Sequence, residues 1–176
     1  MKRYITLVVA FVTLLAVAAQ AQVPIGPFDP LAKENFDSLA PGAYNVFAGF
    51  SGQAQFSALA ATGRLAVVDR PSLLPALSQP HAMFGRGTDV RIDFSSVRRL
   101  FGGYFRVPNA GIAVPDATFV FYKGGAFIGA AVVPVNNGAW AWAGYDLSGL
   151  GGYDRVEIIG SGSLPGYVGM DVMSLY

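Results

Sequence analysis

The 176-residue sequence contains no cysteine and a single histidine, His81. The first absence excludes disulfide staples, thiol nucleophiles and cysteine-ligated zinc, and the second leaves a transition-metal centre without a ligand set. Beyond residue 21, lysine occurs only at Lys33 and Lys123 and glutamate only at Glu34 and Glu157. Helix surfaces are usually built from those two residues, so their scarcity argues against a helical fold. The formal charge is +1 with no basic run, which argues against nucleic acid and against electrostatic attachment to a membrane surface. There is also no G-x-S-x-G elbow to set Ser78, His81 and Asp69 or Asp89 up as a nucleophile triad. The eleven acids are scattered, and chance pairs on a small domain say nothing about glycoside hydrolysis. No catalytic residue is assigned.

What is present begins at the N-terminus. Lys2 and Arg3 precede an uncharged run, Ile5–Ala18, and Ala19-Gln20-Ala21 offers small residues in the A-x-A pattern ahead of Gln22. At 14 residues the run falls short of the ~20 needed to span a bilayer, so residues 1–21 are expected to be a removable signal peptide. Its removal would leave 155 residues, one domain by length, with ten basic against eleven acidic side chains. All 22 glycines and 11 prolines lie in that part, alongside abundant Phe, Tyr and Val. This is the composition of short strands joined by tight turns.

Residues 22–32 carry three prolines and read as an irregular lead-in to a single domain over 33–176. Strands are expected at Lys33–Leu39, Tyr44–Phe50, Gln53–Ala58, Arg64–Asp69, Thr88–Phe94 and Leu100–Val107, then at Asp154–Gly160 and Tyr167–Tyr176. Val90, Ile92 and Phe94 should face a core while Asp89, Arg91 and Asp93 face water. Arg70–Pro80 reads as a surface loop, and His81 and Arg86 sit in the connection before Thr88. Ser95-Ser96 marks a break between strands. Between Asp116 and Leu147, the turns Lys123-Gly124-Gly125 and Asn136-Asn137-Gly138 separate three apolar runs, which predicts a three-strand meander framing one sheet. About nine or ten short strands fit a two-sheet antiparallel β-sandwich, a jelly roll, with little or no helix.

The succession ENFDSLAPG, TDVRIDFSSVRRLFGGYFRV, TFVFYKGGAFIGAAVVPV, DRVEIIGSG and GYVGMDVMSLY resembles the jelly-roll, galactose-binding-like domains of exported bacterial proteins. Many of those carry a PEP-CTERM sorting tail, whose Pro-Glu-Pro motif, closing helix and basic end do not occur in this sequence. Through its kinship with carbohydrate-binding modules, the resemblance implies a structural calcium held by acids of the first and last strands, here Glu34, Asp37 and Asp171. Calcium takes six to eight hard oxygens, so carboxylates and carbonyls near the chain ends would suit it.

For ligand binding, the residues singled out are His81 and Arg86, as loop side chains, and Trp140 and Trp142. The two tryptophans are two apart and share one face of their strand. They could form a sugar-stacking platform or fill the core, and the apolar area an aromatic buries favours core for at least one of them. The resulting expectation is an exported, non-catalytic binding or cell-envelope module for a glycan, not membrane-spanning. The alternatives are a purely structural or protein-interaction sandwich and a small outer-membrane β-barrel. For the barrel, the expected strands are shorter than the ~9–11 residues that a membrane requires.

Overall fold

The computed structural model describes residues 22–69, 76–78, 80–106, 116–135, 139–160 and 168–176. The expected signal peptide, most of the Arg70–Pro80 loop, and the turns at 136–138 and 161–166 lie outside the described residues. Fourteen strands occur among those described. They are β1 (Val23–Pro24), β2 (Ala32–Glu34), β3 (Gly42–Tyr44), β4 (Val46–Gly49), β5 (Ala54–Ala58), β6 (Arg64–Val68) and β7 (Ala82–Arg86), then β8 (Val90–Arg98), β9 (Leu100–Arg106), β10 (Asp116–Lys123), β11 (Ala126–Pro134), β12 (Ala141–Asp146), β13 (Tyr153–Gly160) and β14 (Gly169–Leu175).

They form two antiparallel sheets. One has eight strands in the order β1-β12-β9-β14-β7-β6-β3, with β2 also paired to β14; the other runs β11-β10-β13-β8-β5-β4. The all-β, two-sheet sandwich expected from composition is therefore the fold. The count exceeds nine or ten because β1 and β3 are pieces of two and three residues, too short to show a period in sequence, and because β7 reads in sequence as a connection.

The alternation read in β8 holds: Val90, Ile92 and Phe94 are buried, and Asp93 and Arg91 lie on the opposite face. Facing side chains from both sheets fill one continuous core, with Phe101, Phe119, Phe121 and Tyr153 in mutual edge-to-face contact at 5.6–6.1 Å. Each sheet keeps open edges and the space between is packed with rings, so the molecule is a sandwich and not a lipid-facing barrel. Among the described residues, no helix is long and apolar enough to cross a membrane.

Three local expectations change. Strand β8 continues through Ser95-Ser96 to Arg98, so no break falls there. The first strand of the domain stops at Glu34, because Phe36 adopts φ 61° and turns the chain away. The connection holding Met83 and Phe84 is strand β7, whose Met83 enters the core while Ala82 and Phe84 cover the other face. A strand apolar on both faces has no alternation to reveal it.

The Asp116–Leu147 meander is also only partly formed. Gly124 and Gly125, at φ 56° and 79°, make the tight β10–β11 hairpin, with Lys123 opposite Ala126. The third strand, β12, instead joins the eight-stranded sheet between β1 and β9. Strand β10 already has a neighbour on each side, β11 and β13, so β12 finds its partners across the sandwich.

Candidate ligand-binding face

The register of β12 decides where the tryptophans go. Ala143 and Tyr145 turn inward and are buried in the core, which puts Trp142 on the outer face of the eight-stranded sheet. Its ring lies across Gly102 and Gly144; a Cβ at 102 would come within 2.5 Å of it and one at 144 within 2.8 Å. These glycines clear a bed for the indole, an approach that any side chain at either position would block. Phe28 and Tyr104 flank the ring edge-on at 5.8 and 5.3 Å, and its Nε1–H donates to the Ile25 carbonyl at 2.8 Å. The irregular lead-in is thereby folded against one side of Trp142.

Trp140 precedes β12 on the same face. It packs against a second, smaller cluster of Ala66, Ala82 and Phe84, separate from the main core. Arg106 sits beside it with its guanidinium 5.7 Å from the ring centre. Only 3% of Arg106 is exposed, and burial lowers its pKa from the ordinary guanidinium value. Gly169 pairs with both Arg106 and Phe84, so a position without a side chain lets the arginine, the tryptophan and the phenylalanine share one row. Both indoles remain half-buried. The expectation that at least one fills the core is therefore corrected: the inward face of β12 is taken by Ala143 and by Tyr145, which meets Phe119 edge-on.

His81 and Arg86 do not join them as a cluster. They lie at opposite ends of β7: Arg86 is exposed and in register with Arg64, whereas His81 is partly buried. Among the described residues the His81 Nδ1 has no hydrogen-bond partner, and its backbone N–H donates to Asp37 Oδ1 at 3.1 Å.

Strands β2 and β14 pair, with Glu34 opposite Met173, so the first and last acids are brought to one sheet. They do not make one ligand set. Glu34 is buried and receives the N–H of Phe36 at 2.8 Å and that of Phe50 at 2.6 Å, one on each oxygen. Phe36 and Phe50 both have positive φ, 61° and 51°, so Glu34 holds two strained turns together. Asp37 accepts from His81 N–H and from Asn35 Nδ2. Asp171 is fully buried, and its carboxylate accepts the N–H groups of Leu77 and Ser78 at 2.7 and 2.9 Å, the Ser78 hydroxyl at 2.9 Å and its own neighbour's N–H at 2.7 Å. Burial pushes its pKa up against the pull of those four donors.

Calcium requires several free oxygens pointing to one place. Among the described residues no three acids or histidines are grouped to hold a metal ion, and these three acids spend their lone pairs on N–H and O–H donors. As a set they do not fit calcium. Asp37 and Asp171 instead hold nearby backbone, Asp171 at Leu77 and Ser78 and Asp37 at His81. Leu77 and Ser78 carry no sequence signal for this role, because a backbone N–H is the same in every residue but proline.

The six-stranded sheet presents a different outer face. Asp93 bridges Arg91 at 2.6 Å and Arg155 at 2.7 Å, Tyr122 donates to Glu157 at 3.1 Å, and Arg155 lies 5.7 Å from the Tyr122 ring. Burial opposes ionisation of Asp93, but the hydrogen bonds and charges of the two arginines outweigh it and hold the carboxyl below its usual range.

These features define a two-sheet β-sandwich with an aromatic outer face on one sheet and an ionic one on the other. The fold is similar to that of the K2 cleaved adhesin domain of Lys-gingipain, with a TM-score of 0.57 at 13% identity over 82% of this chain and 98% of that one. It is similar also to the CBM22-1 xylan-binding domain of Paenibacillus barcinonensis Xyn10C, with a TM-score of 0.53 at 13% identity over 86% and 97%. The N-terminal CBM22-1-CBM22-2 tandem domain of the same Xyn10C matches at 0.52 and 13% identity, over 86% of this chain and 47% of that one. At such identities the likeness is one of fold. No family model matches the sequence, and no curated protein matches it.

Proposed function

We propose that the chain is an exported, non-catalytic carbohydrate-binding domain whose ligand lies against the outer face of the eight-stranded sheet. The observation carrying this reading is the placement of both tryptophans outside the main core and half-buried on one sheet face, Trp142 between Tyr104 and Phe28 and Trp140 beside Arg106 and the Phe84 cluster. Rigid, partly exposed aromatic faces offer sugar rings apolar area at little entropic cost. The fold likeness to a domain that binds xylan agrees with a polysaccharide ligand. Export rests on the signal-peptide pattern of residues 1–21, and the resemblance to domains of PEP-CTERM-sorted proteins supports the same destination. His81 lies before β7, apart from the tryptophans, whereas Arg86 is exposed two residues beyond Phe84 and shares its outer face, at the margin of the platform. Calcium at Glu34, Asp37 and Asp171 is left out because those carboxylates already accept N–H and O–H groups.

A glycan array probed with the secreted domain tests the reading. Binding to a polysaccharide, reduced at least tenfold by Trp142→Ala with the thermal transition retained, is the expected result; uniformly blank spots would sink it. The adhesin-domain likeness favours the second reading, a protein-interaction sandwich, which a blank array would promote.

A further inference from the structure

Gln22 directly precedes β1, the edge strand of the eight-stranded sheet, and its side chain reaches β11, the edge strand of the other. With the carboxamide oriented so that donors meet acceptors, its amide N–H donates to the Ala130 carbonyl at 2.7 Å and its oxygen accepts the Ala130 N–H at 2.6 Å. The β10–β11 ladder cannot use that N–H and C=O, because they point off the free edge. Gly129 makes the room, since a Cβ there would overlap the Gln22 amide. The clip thus joins the open edges of both sheets and blunts an edge whose Phe127 and Val132 are exposed.

Gln22 is also the residue that cleavage after Ala21 would leave at the N-terminus. An N-terminal glutamine carries its own electrophile. The neutral α-amine can attack Cδ, the new N–Cδ bond closes a five-membered lactam, and the Cδ–Nε2 bond breaks to release ammonia, with one amine proton passing to the leaving nitrogen. No other reactant is needed. In the structure both ends of the carboxamide are committed to Ala130 on the far edge. The lactam, tied back to Cα, would be too short to span to Ala130.

We propose that Gln22 is a fold-guarded modification site. Docked on β11 it stays an open-chain amide in the native exported domain, and it converts to pyroglutamate when the clip opens, releasing the β11 edge. This rests on the export reading and on cleavage after Ala21, but not on the glycan face.

The test expresses the full-length precursor and follows the intact mass of the exported protein. Wild type should begin at an uncyclised Gln22 and hold that mass on storage. Two variants open the clip from different sides. Ala130→Pro removes the N–H donor at an edge position that tolerates proline, and Gly129→Ser fills the amide's bed. Both should lose one ammonia severalfold faster than wild type while keeping a cooperative thermal transition, and the rate should rise with pH as the α-amine, of ordinary pKa about 8, deprotonates. Conversion at the wild-type rate in both variants would overturn the proposal, as would a native wild-type domain that is already lactam. An exported chain beginning at any residue other than Gln22 would overturn it together with the cleavage expectation, leaving the glycan reading untouched.

Discussion

Asp171 is the residue on which the sequence-based expectation and the structure diverge most usefully. Its carboxylate was expected to look outward to a cation, and it is instead fully buried, with four donors around it. Asp171→Asn keeps the shape but turns an NH₂ toward N–H groups that need an acceptor. The expected cost is about 2 kcal/mol in urea unfolding, with faster amide exchange at Leu77 and Ser78. The pH dependence follows from the raised pKa. A native state that holds the Asp171 proton more tightly than the unfolded chain gains stability in acid, and that gain is lost as pH rises through the folded pKa. The Ser78 hydroxyl can rotate to accept the proton. The stability of wild type over Asp171→Asn should therefore be largest below the ordinary carboxylate range and narrow toward neutrality. A difference that widens with pH would contradict this account.

At the scale of elements, the Arg91–Asp93–Arg155 bridge links β8 to β13, where Asp93 and Arg155 are directly opposite. Here the folded pKa is lowered, so the sign reverses: the stabilisation is present above the ordinary Asp value and is lost as pH falls through the folded one. The side chain is 32% exposed, so solvent screens the pair. Asp93→Asn should cost only about 1 kcal/mol at neutral pH, and it should flatten the acid limb of the stability curve. Strand β8 is also the element most legible in sequence, because one face is wet and the other dry and the alternation of TDVRIDF records both. Strand β7 was not legible, since AMF is buried on both sides, and neither was the end of β2, which stops where a Glu34-held turn begins. The tryptophan pair was legible as a pair. Which face it took was not, because nothing in the strand itself says that Ala143 and Tyr145 take the inward face, where Tyr145 meets Phe119 edge-on.

At the scale of the whole molecule, the contacts that join the chain ends and fill the core lie apart from the aromatic outer face. The two chain ends are joined by backbone pairing of β2 with β14 and by carboxylates that accept N–H groups. Calorimetric titration of calcium into chelator-treated protein should give no heat from these acids, and chelation should leave the melting temperature where it was; a shift of several degrees would revive the calcium site. The aromatic face can be separated from the core by the same kind of reasoning. Phe119 is fully buried between the sheets, against Phe101, Phe105 and Tyr145, and Phe119→Ala should cost about 3–5 kcal/mol through the cavity it leaves. Trp142 is larger, but its ring rests on glycines with one side toward solvent, so Trp142→Ala should cost about 2 kcal/mol or less, the loss of a half-buried ring and one hydrogen bond. Denaturant unfolding of the two variants ranks them directly. If the larger residue proves the cheaper to remove, the tryptophan is held on the surface for something other than stability. If Trp142→Ala costs as much as Phe119→Ala, the face is a second core and the platform reading fails with it.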